Sequence, residues 1–178
     1  MSHWPLFDED LEQLNGSTLR LTLAAKGGKE LVFSSKDPIG REQLWIFLET
    51  KRKIKRFILP KQMLEICHKM EEKCGKENEW LFFILGDVQE ATFIGKEICI
   101  PEQIISPDDV SVKFHDFPNR PFIMVHKHPY PFINPSGTDT GYFDFAACCG
   151  IVIFCGGYVT SLRNAGNEKI PLETVEWI

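Results

Sequence analysis

MVHKHPYPFINPSGTDTGYFD, residues 124 to 144, carries more chemistry per residue than any other stretch of this chain. If Phe122 to His128 is extended, alternation with period two sends His126 and His128 to the same side. Two neutral imidazoles can then converge on one ion. Asp139 supplies a third donor, and zinc typically takes three protein ligands and a water in reactive sites. Pro129, Pro131 and Pro135 restrict the loop that must turn the chain back towards the histidines. With 5 His and 11 Pro in the chain, His-x-His-Pro arises by chance roughly 0.01 times, before Ser136 and Asp139 are required. Ser136-x-x-Asp139 also fits a helix cap, with the serine oxygen accepting a backbone N–H. Capping does not compete with metal binding, since a helix begun at Ser136 places Asp139 in its first turn.

Outward from this segment, periodicity describes a mixed α/β chain. WLFFILG (80–86) is too short for a helix and reads as a central strand buried on both faces. Before it, Met63, Ile66, Cys67 and Met70 recur at helical spacing after Pro60, and Gly75 ends the helix. Further strands are expected at 54–59, 91–94, 98–100, 122–125, 150–154, 158–162 and 172–177, with a helix over 136–148. Near the start, Leu19, Leu21 and Leu23, the Gly27-Gly28 pair and Leu31 to Phe33 read as a β-hairpin. A helix opened by Asp37-Pro38 and containing Leu44, Trp45, Phe47 and Leu48 follows. The basic run KRKIKR (51–56) reads as a solvated linker. Residues 1–52 are therefore expected to form an N-terminal extension, which packs on the main unit or contacts a partner in a protein complex, and residues 53–178 the principal domain.

Composition narrows the function. The 178 residues carry a formal charge of -5, with 43% hydrophobic and 25% charged residues, which suits a folded domain and opposes broad nucleic-acid binding. No apolar run reaches membrane-spanning length, and the acidic start MSHWPLFDEDLEQL has neither the basic residues nor the apolar core of a signal peptide. A cytoplasmic protein with no membrane or nucleic-acid partner is expected. The 6 cysteines show no Cys-x-x-Cys spacing and read as buried thiols.

Hydrolysis of an amide with zinc also needs a group that takes a proton from water and returns it to the leaving amine. Glu77, Glu79 and Glu90 flank the buried strand. Spacing favours Glu79, at the mouth of the sheet, over the other two.

Taken together, the upstream glutamate, His126-x-His128-Pro129, the spacer 129–135 and Ser136-x-x-Asp139 resemble the signature of the JAMM metalloproteases, the catalytically competent MPN domains. Glu79 followed by the apolar strand ending at Gly86 is similar to the family's glutamate-bearing segment. The resemblance covers about residues 53 to 178 and is nearest the compact archaeal-type members. It implies an MPN fold, a cytidine-deaminase-like mixed β-sheet flanked by helices, preceded here by the hairpin–helix extension. It also implies that His126, His128 and Asp139 bind Zn2+, that Glu79 is the general base and then acid, and that Ser136 stabilises the oxyanion. The implied activity is hydrolysis of the isopeptide bond between a ubiquitin or ubiquitin-like modifier and a lysine amine. A different JAMM substrate, such as a sulfur-carrier conjugate or peptide, and a non-catalytic MPN scaffold are the alternatives. Lys127 departs from the family, whose members usually place serine or threonine between the histidines. By strand alternation it points away from the metal, and it is expected to face solvent.

Overall fold

A computed structural model describes residues 2–4 and 41–178. The expected hairpin at 19–33 and the Asp37-Pro38 helix start lie outside the described residues. The principal sheet has seven strands in the order β10-β2-β4-β3-β7-β8-β9. These are β2 (Arg56–Leu59), β3 (Leu81–Gln89), β4 (Thr92–Cys99), β7 (Phe122–Lys127), β8 (Cys148–Cys155), β9 (Tyr158–Asn164) and β10 (Glu176–Trp177). A second sheet joins β1 (Ser2–Trp4), β5 (Gln103–Ile105) and β6 (Val110–Ser111). Helices α1 (Arg41–Lys51) and α2 (Gln62–Cys74) flank the seven-stranded sheet, and α3 (Gly137–Thr140) is a single turn. The result is a mixed sheet flanked by helices.

At the centre, β3 pairs antiparallel with both β4 and β7, while β7 runs parallel to β8. Leu81 to Leu85, Phe122 to Val125 and Cys148 to Phe154 are all buried, as strands covered on both faces require. Helix α2 turns Met63, Ile66, Cys67 and Met70 into the core, each larger side chain contributing about 1.5–3 kcal/mol by leaving water. Gly75 ends it with φ 86°, a conformation that glycine adopts without steric cost, and its N–H caps Glu71 O. At Gly86 a Cβ would stand 2.0 Å from Ile94 O, so a bulge at Leu85/Gly86 brings the β3 and β4 backbones together.

Several elements differ from expectation. The strands at 91–94 and 98–100 are one continuous β4, because Gly95 stays in the ladder opposite Gly86. The helix expected over 136–148 stops at Thr140 and gives way to a 3-10 turn at Gly141–Asp144. Phe145 there stacks on Phe117 at 4.5 Å, and the chain must extend by Cys148 to pair with β7. The final strand is confined to Glu176–Trp177, after a 3-10 turn at Leu172–Thr174. Strands β5 and β6 were not anticipated. The basic run is solvated at Arg52, Lys53, Lys55 and Arg56, but Lys51 and Ile54 are buried. The Lys51 ammonium donates to Phe143 O (2.8 Å) and Phe145 O (3.0 Å), and burial pushes its pKa below the usual lysine value. All six cysteines are buried and free. Among the described residues, no helix is long and apolar enough to cross a membrane.

Candidate metal centre

Register between β3 and β7 assembles the site. Leu81 opposes His126, and the same pairing continued past the end of the ladder sets Glu79 beside His128. Alternation then turns Glu79, His126 and His128 to one face, and Trp80 and Lys127 to the other. One ligand atom from each of Glu79, His126 and His128 lies within 4.8 Å of the others, a grouping able to hold a metal ion.

Asp139 arrives from the far end of the proline-rich loop. Its N–H donates to Ser136 Oγ (3.1 Å), and its Oδ2 accepts from Ser136 N–H (2.8 Å), so the two residues form a reciprocal capping box. The same carboxylate spans both imidazoles: Oδ1 is 2.9 Å from His126 Nδ1 and Oδ2 is 2.8 Å from His128 Nε2. His128 Nδ1 donates to Phe132 O at 3.0 Å, which fixes the ring and leaves Nε2 as the other nitrogen. His126 Nε2 lies 2.8 Å from Glu79 Oε1. That approach is within ion-pair range but not aligned as a hydrogen bond, and the buried nitrogen has no hydrogen-bond partner.

Charge governs this cluster. Burial favours neutral His126, but Asp139 and Glu79 outweigh it and hold the imidazolium up to about 9. Burial likewise favours protonated Asp139, yet bonds to the two imidazoles and to the Ser136 N–H keep its carboxyl well below the usual range. In the metal-free protein a proton on His126 thus offsets buried carboxylates. Two imidazoles, two carboxylates and one orphaned ring nitrogen suit a divalent, borderline-soft cation of the zinc type.

A cavity of about 460 Å³ opens over these groups. The five residues singled out from the sequence, Glu79, His126, His128, Ser136 and Asp139, all line it. Asp108, Asp109 and Phe132 line it as well and were not anticipated. The first two lie between β5 and β6, whose few residues carry no periodic signal. Lys127 departs from expectation: it points away from the histidine face as alternation requires, but it is buried, only 2% exposed.

No family model matches the chain, and no curated protein matches it. Among solved structures it is similar to a JAB1/MPN domain protein from Archaeoglobus fulgidus, with a TM-score of 0.46 and 15% identity, over 69% of this chain and 98% of that one.

Proposed function

We propose that this chain is a zinc-dependent isopeptidase of the JAMM type, hydrolysing the bond between the C-terminus of a ubiquitin or ubiquitin-like modifier and a lysine amine. The observation that carries the reading is the meeting of Glu79 with the His126–Asp139–His128 cluster on the wall of one cavity. His126, His128 and Asp139 would hold the ion. Zinc, when bound, supplies the Lewis acidity that makes water a nucleophile near neutral pH and polarises the scissile carbonyl.

The chain's own groups supply the remainder. Glu79, 9% exposed, takes a proton from the attacking water as the C–O bond forms. It returns that proton to the nitrogen as the C–N bond breaks, leaving a carboxylate and a free amine. Ser136 Oγ already accepts the Asp139 N–H, so its own proton is available to the oxygen of the attacked carbonyl. Asp139 holds the His126 ring through Nδ1, which directs Nε2 towards Glu79.

The test is incubation of zinc-loaded protein with diubiquitin and archaeal-type modifier conjugates, beside a chelated control and the Glu79→Gln variant. Cleavage should fall by about 10²-fold or more in the variant, while zinc content stays stoichiometric. A variant that cleaves at the wild-type rate removes Glu79 from the proton transfers; a variant that loses zinc makes Glu79 a ligand instead.

A further inference from the structure

Lys127 is a buried cation on the face of β7 opposite the histidines. Its ammonium donates to Lys76 O and to Asn78 O, the latter at 2.9 Å, and Glu71 Oε1 of α2 lies 3.6 Å away. Its main-chain N–H donates to Trp80 O at 2.9 Å. One residue therefore grips the backbone on both sides of Glu79, at positions 78 and 80, while the Glu79 N–H is held by Ser106 O at 2.9 Å. Burying an ammonium is unfavourable unless its donors are satisfied. Here the connection between α2 and β3 turns its carbonyls inward, and these need a donor that an apolar residue at 127 would not provide.

We propose that Lys127 is a positioning residue: by clamping the 76–78 carbonyls it fixes where the Glu79 carboxylate meets the metal-binding histidines. The proposal rests on the role given to Glu79 above. The same strand thus carries the two imidazoles on one face and the clamp for their partner on the other.

The experiment compares full-length wild type, Lys127→Met and Lys127→Arg, each with and without zinc. Hydrogen exchange at residues 76–80 should be about tenfold faster or more in Lys127→Met, while exchange at 122–125 keeps the wild-type rate, because only the local clamp is lost. Zinc affinity should stay within about twofold and KM should be unchanged, while kcat falls about tenfold, with part of it restored by the cationic Lys127→Arg. Wild-type exchange at 76–80 in Lys127→Met, or equal acceleration throughout the molecule, overturns the proposal. Should Lys127→Met not fold, the shorter, neutral Lys127→Gln is read by the same two segments: local acceleration supports the clamp and unchanged exchange overturns it. A wild-type protein that binds zinc but cleaves no conjugate refutes the isopeptidase reading alone, and exchange still decides the role of Lys127.

Discussion

The metal-free protein should lose stability as pH rises through neutrality, and His126 sets the amount. Its folded-state pKa of about 9 stands above the ordinary 6.5. The stabilisation is therefore fully present below about 6.5 and is lost as pH climbs through the folded value. The whole shift corresponds to about 3 kcal/mol, and roughly half of it disappears between about pH 6.5 and 8. The lower part of this window precedes thiol ionisation in the unfolded chain, since an ordinary cysteine titrates near 9, whereas burial holds Cys148 up to about 12. Urea melts in chelator should show the midpoint falling by about 0.5–1 M across that range, with the fall absent from His126→Gln. Saturating zinc should largely cancel this fall, because the ion would compete with the same proton: its affinity should rise about thirtyfold over the same interval. A midpoint that is flat with pH in the metal-free wild type, or that falls equally in His126→Gln, refutes the assignment of this proton to His126.

Three further outcomes follow from the same contacts. Asp139→Asn keeps the shape of the capping box but removes the charge between the imidazoles, so zinc affinity by competition with a chromophoric chelator should drop at least about tenfold. Ser136→Ala should cost about 1 kcal/mol in thermal or urea melts through the lost cap and lower kcat by about 10²-fold through the lost donor, with zinc content unchanged. Gly86→Ala places a Cβ where Ile94 O already stands at 2.0 Å; chemical denaturation should show it destabilised by more than about 2 kcal/mol.

Sequence made some of this architecture readable and concealed other parts for physical reasons. The alternation that puts His126 and His128 on one face is a property of any extended strand, and β7 extends through Lys127. Helix α2 was legible because its apolar residues keep helical spacing and Gly75 stops it. The helix expected after Ser136 failed because apolar residues such as Phe145 serve the Phe117 aromatic stack and the entry to β8 rather than a helical face. Burial of Lys127 was hidden for a related reason. Its acceptors are main-chain carbonyls about fifty residues upstream, and a carbonyl leaves no mark on residue identity. The hairpin at 19–33 falls outside the described residues.

The fold and the site share one electrostatic logic. β3 and β7 are central strands whose core residues are almost wholly apolar, so polar groups at their ends must be satisfied by neighbours rather than by water. On one face Glu79 and Asp139 are compensated by a proton on His126; on the other the Lys127 ammonium is compensated by two carbonyls and Glu71. These two arrangements differ in what can replace them. The Lys127 ammonium is engaged with main-chain carbonyls and holds backbone in place. The His126 proton is exchangeable, and a divalent cation can take its place between the same carboxylates while using the ring nitrogen that has no hydrogen-bond partner. An arrangement built only for stability would gain by replacing the carboxylates and imidazoles with apolar groups of similar volume. Retaining them beside an open cavity favours a site whose compensating charge is meant to be exchanged.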